Sequence, residues 1–81
     1  MSIPSDMSGD ELAKKLTRYG YRTTRQKGSH IRLTTNKGGT HHITIPKHSP
    51  LKVGTLNGIL NDIAGHQKIS KKQVMEELFH K

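Results

Sequence analysis

The sequence predicts an α+β domain, a two-layer sandwich whose antiparallel sheet has helices on one face and an open polar surface on the other. Two stretches, HIRLT at His30–Thr34 and HHITIP at His41–Pro46, alternate polar and apolar residues with the period of two of half-buried strands. Segments with apolar residues at helical spacing stand before and after them. The apolar side of such strands must be buried, and the flanking helices are what can cover it.

Taken in order, residues 1–7 carry Pro4 and no periodic pattern, so a loose tail is expected, followed by a single domain over residues 8–81. Ser8 followed three residues later by Glu11 is a capping box, in which each side chain bonds the other's backbone amide. Leu12, Leu16 and Tyr19 then recur on one helical stripe, and Gly20 suits the left-handed residue that ends a helix. Tyr21–Gln26 is rich in Thr, Arg and Tyr, as strands are, but does not alternate. Gly28-Ser29 suits the turn into the next strand.

In the following two strands Ile31, Leu33, Ile43 and Ile45 share the buried side, while His30, Arg32, Thr34, His42 and Thr44 share the polar one. These sets coincide across a hairpin only for a loop of odd length, and Lys37-Gly38-Gly39 satisfies this. The register then sets Arg32 opposite Thr44, Thr34 opposite His42 and His30 opposite Pro46. After the KHSPLK loop, Val53, Leu56, Ile59, Leu60 and Ile63 have helical spacing up to Gly65. Ser70 with Gln73 forms a second capping box for a short C-terminal helix carrying Val74, Met75, Leu78 and Phe79.

With 81 residues there is one small domain, near the size at which a single core only just outweighs chain entropy. Lys and Arg number 14 against 6 Asp and Glu, a formal charge of +8, which points to a polyanionic partner. Without cysteine there is no disulfide framework and no thiolate metal site, so the reducing cytoplasm is the expected compartment. No apolar run approaches the roughly 20 residues a membrane helix needs, and MSIPSDM lacks the pattern of a secretory signal. P-loop, dinucleotide and G-x-S-x-G signatures are absent.

The stretch RQKGSHIRL places His30 among Arg25, Lys27 and Arg32. An imidazole gives and takes protons near neutral pH, as RNA cleavage requires when a 2′-hydroxyl attacks its own phosphate. The three cations would hold that phosphate and stabilise the charge building on it, with Ser29 and Lys47 as further RNA contacts. A solvated histidine at a strand start is the plainer alternative. His42, Thr44 and His48 are candidates to assist, and Lys37 and Lys52 are expected near the same polar face.

His41 and His42 are adjacent on a strand and point to opposite faces, so they cannot share one ion. A three-histidine site from His30, His42 and His48 has no carboxylate or cysteine near it in sequence, and neither metal nor cofactor is expected. His66 and His80 are expected at the surface. One segment competes: LNDIAGHQKISKKQVMEEL has the rhythm of a helix-turn-helix, with Lys68, Lys71 and Lys72 as DNA contacts, though Glu76 and Glu77 follow closely.

The runs ELAKKLTRYGYRTTRQKGSHIRL and HHITIPKHSPLKVGTLNGILNDIAG resemble the HicA family of small toxin ribonucleases, over about Gly9 to Gly65. The Gly-Ser-His run, the TIPKH strand end and GTLNGIL carry the resemblance most specifically. It implies an α-β-β-β-α fold similar to a double-stranded-RNA-binding domain, here with a short extra C-terminal helix. It also implies an mRNA interferase, an endoribonuclease of a toxin-antitoxin stress-response system, with His30 in the place of the family's catalytic histidine. A HicB-type antitoxin is the implied partner, and oligomers are expected mainly through it.

Two departures accompany the resemblance. AGHQKIS is longer than the family's Ala-Gly-Ile-Ser turn, and Val53 to Asn57 lacks the lysine-rich helix start of true duplex binders. A non-catalytic RNA-binding module and a helix-turn-helix DNA-binding regulator are the alternative functions.

Overall fold

In the computed structural model, which describes residues 3–79, the first helix opens as the capping box predicts. The Ser8 hydroxyl accepts from the Glu11 amide at 3.1 Å and the Glu11 carboxylate accepts from the Ser8 amide at 3.3 Å, starting α1 (Gly9–Lys15). The sequence suggests one α-helix through to Tyr19, but Leu16–Tyr19 tightens into a 3-10 turn. Gly20, at φ 80°, donates its amide to the Leu16 and Thr17 carbonyls, and Tyr21 donates to Leu16. Leu12, Leu16 and Tyr19 are nevertheless buried on one stripe.

Three antiparallel strands follow in the spatial order β1-β2-β3: β1 (Arg22–Lys27), β2 (His30–Thr35) and β3 (His41–Pro46). The register is the expected one, with His30 opposite Pro46, Arg32 opposite Thr44 and Thr34 opposite His42. The connecting loop, however, covers residues 36–40 rather than 37–39. Asn36 accepts the Gly39 amide on its carbonyl and the Thr40 hydroxyl on its side chain, so both end residues close the turn instead of extending the ladder. Gly38 and Gly39 take the positive φ that this turn requires, 74° and 103°.

β1 carries a bulge between Thr23 and Arg25. The extra residue, Thr24, breaks the period of two, which is why this segment shows no alternation in sequence. Thr24 bonds Thr34 across the strand pair, on the same side as Arg25 and Arg32.

Helix α2 (Val53–Gln67) lays Leu56, Ile59, Leu60, Ile63 and Ala64 against the sheet, and α3 (Lys71–Phe79) adds Val74, Met75 and Leu78. These join Ile31, Leu33, Ile43 and Ile45 in one core. Helix α2 passes the expected stop at Gly65 because His66 Nε2 donates to the Lys37 and Gly39 carbonyls at 3.1 and 3.0 Å. Lys68, at φ 58°, then ends it, with the Ile69 amide bonding back to the Ala64 carbonyl. The second capping box is half formed: Ser70 accepts the Gln73 amide, but the Gln73 side chain turns to Glu77.

The arrangement is therefore α-β-β-β-α, with the double-stranded-RNA-binding-domain-like order and an added C-terminal helix. Met7, assigned from sequence to the tail, is 6 % exposed in the core, and its carbonyl accepts from Leu51. Residues 1–2 of that tail lie outside the described residues, as does His80.

Candidate active face of the sheet

Paired residues of a sheet share a face, so the two registers lay out the open surface in rows. One row is Lys27 and His30, ending at Pro46; the next is Arg25, Arg32 and Thr44. A third row holds Arg22, Thr34 and His42, and the bulged Thr24 joins it through the hydrogen bonds Thr24–Thr34 and Thr34–His42. Lys27, His30, Arg25, Arg32, Thr44 and His42 are all exposed.

The corner at His30 is built by three local contacts. Gly28, at φ 58°, makes the two-residue turn that the Gly-Ser pair predicts and lets Lys27 pair with His30. The Lys47 amide donates to the Ser29 carbonyl at 2.6 Å, carrying the backbone pairing past Pro46 and holding the chain at Lys47 against the turn that precedes His30. The His48 carbonyl accepts from Gly9 at 3.0 Å, tying this loop to the start of α1. A methyl group on Gly9 would stand 2.2 Å from the Pro46 carbonyl oxygen, so this close approach requires glycine.

Electrostatically the face is one-sided. Arg25 stands directly opposite Arg32, a like-charge pairing that costs stability. No Asp or Glu occurs between Glu11 and Asp62, so no carboxylate on the strands offsets it. The arrangement is suited to a phosphate chain lying on this face.

Several predicted residues are kept apart from this corner. His42 is four residues along the strands from the His30 row, about 13 Å at the usual strand rise, too far to act on the same phosphate. His41 turns to the other face, as strand alternation requires. Its Nδ1 is 2.8 Å from the Tyr21 hydroxyl, its Nε2 is 3.4 Å from Asp62, and its ring stacks on His66 at 4.4 Å. Burial raises the Tyr21 hydroxyl above its ordinary value, so it stays protonated in this network. Lys37 leaves the polar face and sits 5.9 Å above the Tyr19 ring.

A groove of about 380 Å³ between α1 and β1, lined by Asp10, Lys14, Tyr21, Arg22, Gln26 and Ile31, contains none of the predicted site residues. Among the described residues no three His, Asp or Glu side chains converge as a metal-holding set, and no helix is long and apolar enough to cross a membrane. Sequence reasoning missed Thr24, whose only signal was the failed alternation of β1.

In the competing helix-turn-helix segment, the Lys71 ammonium bonds the Asn57 side chain, while Glu77 is tied to Tyr19. One of its three candidate DNA contacts is thus engaged within the molecule.

Neither the search of curated proteins nor that of solved structures found a match. The family model described as HicA toxin of bacterial toxin-antitoxin matches residues 9–65, the span from the start of α1 to the last turns of α2 that contains every strand and the whole open face. The chain belongs to the HicA toxin family.

Proposed function

We propose that this toxin is an endoribonuclease, an mRNA interferase acting in the cytoplasm, in which His30 is the general acid or base. The observation that carries this reading is the exposed His30 beside Lys27, one row from the Arg25–Arg32 pair, on a face without carboxylates. Arg25, Lys27 and Arg32 bind and neutralise the phosphate, and Ser29 and Lys47 line the same corner.

In the step itself the ribose 2′-hydroxyl loses its proton to a base and attacks the adjacent phosphorus. The bond to the 5′-oxygen breaks, and that oxygen takes a proton. The products are a 2′,3′-cyclic phosphate and a free 5′-hydroxyl. Neither the attack nor the departure needs a metal ion where cations already stabilise the phosphorane. His30 is suited to one of the two transfers, and Lys27, its direct cross-strand neighbour, or His48, from the loop after β3, is suited to the other.

Membership in a toxin-antitoxin family implies an antitoxin. A HicB-type protein with an acidic surface would silence the toxin by covering this face, gaining speed and specificity from complementary charge.

The test is to incubate the protein with a defined RNA in excess chelator, beside His30→Ala, and to identify the fragment ends. Cleavage by the parent to cyclic phosphates, with a loss of at least about a hundredfold in folded His30→Ala, is the expected result. Intact RNA with retained binding in both samples overturns catalysis and leaves an RNA-binding module.

A further inference from the structure

The open face carries a second imidazole that the cleavage chemistry does not use. His42 is exposed, yet its Nδ1 lies 2.8 Å from the Thr34 hydroxyl, which lies 2.9 Å from the Thr24 hydroxyl. This chain crosses all three strands, and it closes only because the β1 bulge brings Thr24 to the same side. Whichever hydroxyl donates along it, the chain engages Nδ1, and Thr24 is anchored further by the Arg32 carbonyl at 3.4 Å. The inward nitrogen is occupied, and Nε2 and the ring face are left for a ligand.

Planar rings are scarce on this surface. The sequence has no Trp, one Phe and two Tyr, and both tyrosines are buried while Phe79 lies on α3. On the strands' open face the rings are His30 and His42, at opposite ends, with the Arg25–Arg32 row between them. A strand of nucleic acid lying along β2 would therefore meet an imidazole, a cationic row and a second imidazole in turn.

We infer that His42, held by Thr34 and Thr24, forms a nucleobase subsite that receives an unpaired base flanking the phosphate at His30. Unstacked bases bind by stacking on flat side chains and by hydrogen bonds to their edges, and an oriented imidazole offers both. A base within a duplex hides its faces, so the subsite selects single-stranded RNA. The subsite rests on the ribonuclease reading above for its role, but not for its binding.

The experiment has two arms. The affinity of the full chain for single-stranded 2′-O-methyl oligonucleotides, which lack the attacking hydroxyl, is measured for the parent, His42→Ala, His42→Phe and Thr34→Val. Cleavage of RNAs varied at each position flanking the cut is measured for the same proteins and for His30→Ala.

His42→Ala is expected to weaken binding about tenfold, to raise KM more than it lowers kcat, and to flatten base preference at one flanking position. His42→Phe keeps the ring and is expected to recover most of the affinity with an altered base preference. Thr34→Val, which frees the ring, is expected to fall between. If His42→Ala binds and discriminates as the parent does, the subsite is overturned, whether or not His30→Ala is inactive. If His30→Ala cleaves normally while His42→Ala loses affinity, the ribonuclease assignment of His30 fails and the subsite stands.

Discussion

At the scale of single residues, the constraint that shapes the candidate site is a missing side chain. Gly9 begins α1 where the chain passes against the end of β3, and an added methyl would meet the Pro46 carbonyl oxygen at 2.2 Å. Helix propensity alone favours alanine over glycine by about 1 kcal/mol. A backbone carbonyl cannot swing aside as a side chain can, so the overpacking cost of about 1–3 kcal/mol wins. Gly9→Ala is therefore expected to lower unfolding free energy by up to about 2 kcal/mol, measured by urea titration. It should also reduce RNA cleavage, because the displaced segment carries Lys47, whose amide bonds the carbonyl of Ser29 next to His30. An alanine variant as stable as the parent would show that α1 and β3 are not locked at this point.

At the scale of elements, α3 is fastened to the first helical segment by a polar latch. The Tyr19 hydroxyl donates to the Glu77 carboxylate at 2.5 Å, Gln73 supports Glu77 from the same helix, and Arg18 stands 3.6 Å away. The bonds from Tyr19 and Gln73 hold the Glu77 carboxyl below its usual range. Burial, and then the bond to Glu77, push the Tyr19 hydroxyl well above its usual range. A depressed carboxylate contributes stability that is present above its unfolded value near 4.5 and is lost as pH falls through the folded value. A raised phenol contributes stability that is present below its unfolded value near 10.0 and is lost as pH rises beyond it. The helical signal should thus loosen at both extremes, and Glu77→Gln should remove the acid-side dependence and lower the thermal midpoint between these limits toward the value the parent shows in acid. An acid limb unchanged by Glu77→Gln would refute the latch.

Elements were legible in sequence where a signal is local. The capping box at Ser8, the alternation in β2 and β3, and the hairpin register each depend on neighbours in the chain, and each agrees with the structure. What was hidden depends on distant partners. Helix α2 outlasts Gly65 because His66 finds two carbonyls in the β2–β3 loop, and Gln73 leaves its capping role because Glu77 is drawn to Tyr19. The bulge in β1 lies between these cases, since its loss of alternation was visible but its cause was not.

At the scale of the whole molecule, the carboxylates are kept off the strands. Asp62 and Glu77 are engaged with His41 and Arg18 on the helical side, while the strands' open face has cations alone. Sequence composition predicted a polyanion but offered no place for it; the register supports the open face proposed above, because it brings Arg25 from one strand opposite Arg32 of the next. The consequence is measurable through counterion release. If Arg25, Lys27, Arg32 and Lys47 each neutralise one phosphate of single-stranded RNA, log affinity should fall against log salt with a slope of about −3. Arg32→Ser should bring the slope to about −2, and it should relieve the Arg25 repulsion enough to raise stability by a few tenths of a kcal/mol at low salt. Lys71→Ser, on the far helix, should leave the slope as it is. Equal effects from Arg32 and Lys71 would mean that RNA is held by net charge spread over the molecule, and the open sheet face would lose its claim to be the site.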